Sequence, residues 1–217
     1  MYRVVIFFAS MIMVSSAQCI QAQAFDDWFT DGVMRVDLVF TGTAEETGYA
    51  FSGIKREPYY SGPEENLLET FDYGDHRFLV MDAATDQLIF SHSYCTLFRE
   101  WQTTSEADTL KRAFTHVIRF PWPRKPVVVE IQDRDDQGNF QCSWTGSFDP
   151  DTPYADPGYS QPFETVDLEI NGPPGEKVDL LFLAEGYRAE ELDKFIADAR
   201  RSADFIFSEE PFMSNRN

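Results

Sequence analysis

The stretch Phe114-Thr115-His116-Val117-Ile118-Arg119-Phe120 decides the fold class. Phe114, His116, Ile118 and Phe120 recur at every second residue, with Thr115, Val117 and Arg119 between them. Only an extended chain puts such a set on one face. Pro121-Trp122-Pro123 is read as the end of this strand. Beyond it, Val127 to Ile131 and Phe140 to Trp144 form two further strands around a turn at 133–139. In the second, Phe140, Cys142 and Trp144 alternate with Gln141, Ser143 and Thr145, so the first three are expected inside.

Upstream, Met34 to Thr41 places Val36, Leu38 and Phe40 on one face, with Arg35 and Asp37 on the other. Phe78 to Met81 and Gln87 to Tyr94 are extended runs on either side of Asp82-Ala83-Ala84-Thr85-Asp86, which has turn composition. Residues 43–75, rich in Gly, Pro, Glu and Tyr, read as irregular loop with short extended pieces. One short helix is expected between Glu100 and Lys111, because Thr103 stands three residues before Glu106, a capping-box spacing. Short alternating strands, turn signals and one helix describe a mostly-β, sandwich-like domain over residues 25–150.

From Asp149 the composition changes to a Pro/Asp/Gly-rich linker, assigned to residues 151–175, with one extended piece at Phe163 to Ile170. Residues 176–217 read differently. Val178 to Ala184 is a nearly continuous apolar run, the pattern of a strand buried on both faces. Leu192, Phe195, Ile196, Ala199, Ala203 and Ile206 then keep helical spacing. One strand and one helix cannot bury their apolar faces alone, so this unit is expected to open a larger, here truncated, α/β domain.

At the other end, Arg3 precedes an apolar run from Val4 to Val14, and Ala22-Gln23-Ala24 has the form of a signal-peptidase site. Residues 1–24 are therefore expected to be a cleaved signal peptide, with Phe25 at the mature N-terminus and a secreted or periplasmic product. A surface lipoprotein anchored through Cys19 is the rival; it wants a small residue before the cysteine, and Gln18 is not one. A membrane span needs roughly 20 apolar residues, and Gln18, Gln21 and Gln23 interrupt too early. The formal charge of −19 argues against nucleic-acid and anionic-membrane partners. Signal removal leaves Cys95 and Cys142, which an oxidising compartment permits either to pair or to stand as two buried thiols.

Chemistry-bearing motifs are sparse. His76, His92 and His116 offer no pair one helical turn apart, as a zinc peptidase helix requires, and no G-x-S-x-G elbow occurs. Asp133 to Gly138 imitates the start of a calcium loop, but its twelfth position is Trp144 rather than a bidentate Glu, so a hairpin turn is the better reading. Glu185, just after the apolar run, stands where ligands meet open α/β sheets, although a simple strand-to-helix turn at Gly186 explains it as well. Tyr59, Tyr60, Trp101, Trp122 and Tyr154 are candidate stacking surfaces if the β domain is a binding module for glycan or protein.

Two stretches carry a family resemblance. Thr96-Leu97-Phe98-Arg99-Glu100-Trp101-Gln102-Thr103-Thr104, with the strand through Pro121-Trp122-Pro123, resembles the N-terminal domain of the IgA-peptidase family of zinc metallopeptidases, metallopeptidase family 64. The run from Val178 through Glu185-Gly186-Tyr187, with the helix after it, is similar to the opening of that family's catalytic domain. The resemblance implies a secreted bacterial protein with a β-rich N-terminal domain and a zincin-like peptidase domain. The family's H-E-x-x-H helix lies downstream of the EGY segment, so the resemblance places no zinc ligand and no catalytic residue on this chain. It implies zinc for the complete family member, and as partners the chain's own downstream peptidase domain and a protein or glycoprotein substrate. Arg188 departs from the family's small hydroxyl residue at the helix start.

Overall fold

A computed structural model describes residues 24–152 and 164–216. The expected signal segment and Tyr154 lie outside the described residues, apart from Ala24. After a short helix α1 (Phe25–Trp28), the chain forms β1 (Phe29–Gly42), β2 (Thr47–Glu57), β3 (His76–Asp82) and β4 (Leu88–Tyr94). Helix α2 (Leu97–Gln102) follows, then β5 (Arg112–Pro123), β6 (Val127–Arg134) and β7 (Phe140–Phe148). The strands make two antiparallel sheets, ordered β2-β1-β5 and β4-β3-β6-β7.

The alternation that decides the fold class is the one that builds the core. Met34, Val36 and Leu38 of β1 and Ile118 and Phe120 of β5 share one buried cluster with Phe78 and Val80 of β3 and Val129 and Ile131 of β6. The two sheets thus cover one another, as expected of a mostly-β sandwich. Each such fully buried aromatic or aliphatic side chain is worth about 1.5–3 kcal/mol relative to exposure.

Several local expectations are corrected. The stretch 43–75 is not all loop, because β2 pairs along β1 from Val33↔Glu57 to Gly42↔Thr47. The short helix is α2, capped by Thr96 rather than Thr103; residues 103–109 continue as turns. The Pro121-Trp122-Pro123 stretch ends the strand as expected but is itself paired, since Pro121 lies inside β5 and Pro123 is its last residue. An outer strand tolerates proline because one edge of it donates no ladder bonds.

On β7 the expected inward face is only partly inward. A register shift opposes Gln132 to Cys142 and Ile131 to Trp144, skipping Ser143. This bulge leaves Cys142 exposed and Trp144 half-buried against the core, as befits an outer strand. Cys95 and Cys142 are both free and exposed, so neither the disulfide nor the pair of buried thiols is found. Cys95 follows β4 and Cys142 lies on β7, the two outer strands of one sheet. Three inter-strand steps of roughly 4.8 Å separate them, beyond disulfide reach.

In the second unit the helix is as expected. Helix α3 (Leu192–Ile206) follows a 3-10 turn at Ala189–Glu191. The Arg188 backbone N–H donates to the Glu191 carboxylate at 3.0 Å, which serves the helix start in place of a hydroxyl cap. Asp198 accepts from Lys194 at 2.5 Å and from the Tyr187 hydroxyl at 3.0 Å. The expected strand is absent: Val178 to Ala184 has no regular secondary structure and pairs with no strand among the described residues, and Val178, Leu181 and Leu183 are exposed. An apolar run becomes a strand only where another edge receives its backbone groups.

The two β-sheet aromatics make contrasting probes of this arrangement. Phe120→Ala removes a fully buried ring and is expected to cost about 3–5 kcal/mol in urea unfolding. Trp144→Ala, on the outer strand, is expected to cost about 1–2 kcal/mol. Equal losses for the two would contradict the burial assignment.

Candidate functional site

Three residues meet across one end of the four-stranded sheet. His76 opens β3 and stands opposite Asp133 of β6 on one side and Tyr94 of β4 on the other. His76 Nδ1 lies 2.7 Å from Asp133 Oδ1, and its Nε2 lies 3.1 Å from the Thr96 hydroxyl. A carboxylate only accepts, so Nδ1 carries the proton. From the facing sheet, the Tyr49 hydroxyl of β2 donates to the same Asp133 oxygen. Thr96 in turn accepts the Arg99 backbone N–H at 3.0 Å, capping α2.

Aromatic rings enclose this line. Tyr94 stacks between His76, at 5.4 Å and 26°, and His116 of β5, at 4.8 Å and 13°. Phe40 of β1 meets His76, His116 and Tyr49 edge-on at 4.7–5.4 Å. Phe40 also joins a second buried cluster with Phe98, Trp101 and Ala107. Trp101 Nε1 donates to Glu106 at 2.7 Å, and the Gln102 amide donates to the Thr43 carbonyl at 2.8 Å. The Thr96–Thr104 block therefore packs α2 over one end of the sandwich.

Burial dominates the electrostatics. It pushes the Tyr49 and Tyr94 phenols up, with the Asp133 charge adding to both. Burial also presses on Asp133, but bonds from His76, Tyr49 and Ser143 outweigh it and hold the carboxyl below its ordinary value. Burial, and then the neighbouring His76, push His116 down to about 4. Tyr94 Oη and His116 Nε2 are buried with no hydrogen-bond partner among the described residues.

Hydroxyl, imidazole and carboxylate in line repeat the connectivity of a nucleophilic triad. Two observations make the line structural instead. The Thr96 oxygen is occupied as a helix cap, and His76 is only 3 % exposed, out of reach of a substrate. The zinc implied by the resemblance does not fit these residues either. Both His76 nitrogens are engaged, His92 sits beside Glu69, and among the described residues no three His, Cys, Asp or Glu side chains converge on a metal position.

The remaining candidates divide. The Asp135 carboxylate accepts the Gln137 and Asn139 backbone N–H groups, and Gly138 takes a φ of 83°, so 133–139 is a hairpin turn. Glu185 is exposed and follows no strand. Trp101 and Trp122 are buried, Tyr60 is half-buried, and among the described candidates only Tyr59 stays open to solvent. Sequence reasoning missed the exposed, stacked pair Phe71 and Tyr73. Its one legible signal was two aromatics at i and i+2 around an Asp in a Gly-rich loop.

The network predicts an acid-sensitive fold. A histidine whose folded value lies near 4, against an ordinary 6.5, binds its proton more readily in the unfolded chain. Stability is therefore complete above pH 6.5 and falls as pH drops toward 4. The Asp133 contribution, present above its unfolded value, is lost further down as pH falls through its lower folded value. Urea midpoints should decline from pH 7 to pH 4.5, and His116→Phe, which keeps the stack, should flatten that decline. A variant retaining the full slope would contradict the assignment.

Comparison with known families agrees with this architecture. The family model described as Peptidase M64 N-terminus matches residues 24–145, and the one described as IgA Peptidase M64 matches residues 166–217. No curated protein sequence matches the chain. The first match runs from α1 into β7, including the network and the Thr96–Thr104 block, and the second covers α3 and the segment before it. On these matches, which together leave out little beyond residues 1–23 and the Pro/Asp/Gly-rich linker, the chain belongs to the IgA-peptidase M64 family.

Proposed function

We propose that residues 25–150 are the non-catalytic N-terminal domain of a secreted bacterial zinc metallopeptidase of IgA-peptidase type, and that residues 176–217 open its peptidase domain. The observation that carries this reading is the order of the two family matches, one on each side of the linker. The histidine chemistry supports it. His76 is spent on internal hydrogen bonds, His116 is enclosed among rings, and His92 stands apart on the surface beside Glu69, so the zinc of the family's enzyme belongs to an H-E-x-x-H region that these residues do not supply. When bound, that zinc would polarise the scissile carbonyl and activate water.

Export through a cleaved signal peptide over residues 1–24 belongs to the same proposal. Among the described residues no helix is long and apolar enough to cross a membrane, which does not bear on β-barrels. The first partner of the chain is its own peptidase domain. Val178, Leu181, Leu183 and Phe205 expose an apolar surface of the kind that packing within such a domain would cover. A protein or glycoprotein is the substrate class.

Metal content tests the division of labour. Purified residues 25–217, dialysed without chelator, should retain no stoichiometric zinc and show no chelator-sensitive proteolysis. One zinc per chain together with chelator-sensitive cleavage would overturn the proposal.

A further inference from the structure

The loop before β3 presents two aromatic rings to solvent. Phe71 is 68 % exposed and Tyr73 84 %, and their rings stack at 5.4 Å and 28°. Apolar rings left in water forgo the transfer energy that burial would give. The backbone beneath them is nevertheless tightly fixed. Asp72 takes a left-handed φ of 50°, which non-glycine residues seldom adopt. Gly74 lies so close to β4 that a Cβ there would stand 2.4 Å from the Tyr94 backbone nitrogen and oxygen.

Two arginines clamp the loop. Arg134 donates to the Asp72 and Gly74 carbonyls and, at 2.6 Å, to the Gly138 carbonyl, and its backbone N–H donates to Asp75 at 2.8 Å. Arg77 donates to the Asp72 carboxylate at 3.2 Å and to Gln132 at 2.5 Å. Both guanidiniums lie over the Phe140 ring, at 4.2 and 4.1 Å. An aromatic pair on a loop already ordered gives up little conformational freedom when it binds.

We propose that Phe71 and Tyr73 form a docking platform for an extended polypeptide segment whose apolar or aromatic side chain is flanked by lysine or arginine. Exposed aromatic anchors are the residues that dominate protein–protein recognition. Charge selects the flanks. Asp75, Asp135 and Asp136 belong to the two loops that Arg134 joins, while the Asp72 carboxylate is paired with Arg77 and Arg134 is committed to backbone carbonyls. With a formal charge of −19 over the chain, a basic segment is drawn to this rim and nucleic acid is repelled. A neutral glycan gains nothing from that charge.

Fluorescence anisotropy of the full chain tests the platform, with a labelled heptapeptide of Phe-Pro-Phe flanked by two lysines on each side. Binding should weaken about tenfold in Phe71→Ala/Tyr73→Ala, and also when glutamates replace the peptide lysines. Because both rings are exposed, thermal melting of the variant should match the parent chain. Absence of binding to the parent chain, or equal binding by the variant, overturns the proposal. So does a preference for chitohexaose over the peptide, or self-association of the chain that the double substitution abolishes.

Discussion

One carboxylate ties the sandwich together. Asp133 of β6 accepts from His76 in its own sheet and from Tyr49 in the facing sheet, and His76 passes the connection on to the Thr96 cap of α2. A half-buried carboxylate with fewer donors would be a liability, since its partial desolvation would go uncompensated. With several donors the same group fixes both sheets and the helix in one arrangement. The geometry of a catalytic triad here serves to hold a fold.

Strand alternation gives this node a second consequence. His76 and Arg77 are neighbours on β3, and Asp133 and Arg134 are neighbours on β6. In each pair the first side chain enters the aromatic-lined interior, while the second reaches the outer face and clamps the loop carrying Phe71 and Tyr73. The interior network and the exposed platform are thus two faces of the same two strand ends. Rigidity inside fixes the position of what is displayed outside.

The sheets were legible because β1, β3, β5 and β6 are amphipathic or apolar at period two, and α3 because its apolar residues keep period 3.6. Strand β2 was not: exposed Phe51, Lys55 and Arg56 and the glycines 48 and 53 hide its single deeply buried residue, Ile54. Such an outer strand is recruited by the unsatisfied edge of β1 more than by its own pattern. Residues 178–184 err in the opposite sense, with strand composition and no edge to join among the described residues. The network was invisible because its members lie up to 84 residues apart, as Tyr49 and Asp133 do, and no local spacing brings them together. Thr96 stands out in the sequence only as part of the family block, while its role as cap and as partner of His76 depends on the fold.

The central claim is that Tyr49, Asp133, His76 and Thr96 act as one unit across both sheets. A double-mutant cycle with Tyr49→Phe and Thr96→Val, read by urea unfolding at pH 7, tests it most directly. These two side chains share no hydrogen bond with one another, and the hydrogen-bond chain between them runs through Asp133 and His76. The account predicts a coupling energy of about 0.5–1 kcal/mol or more, as for residues in one hydrogen-bond network. Additivity to within about 0.3 kcal/mol would contradict it, leaving two local contacts in place of one network.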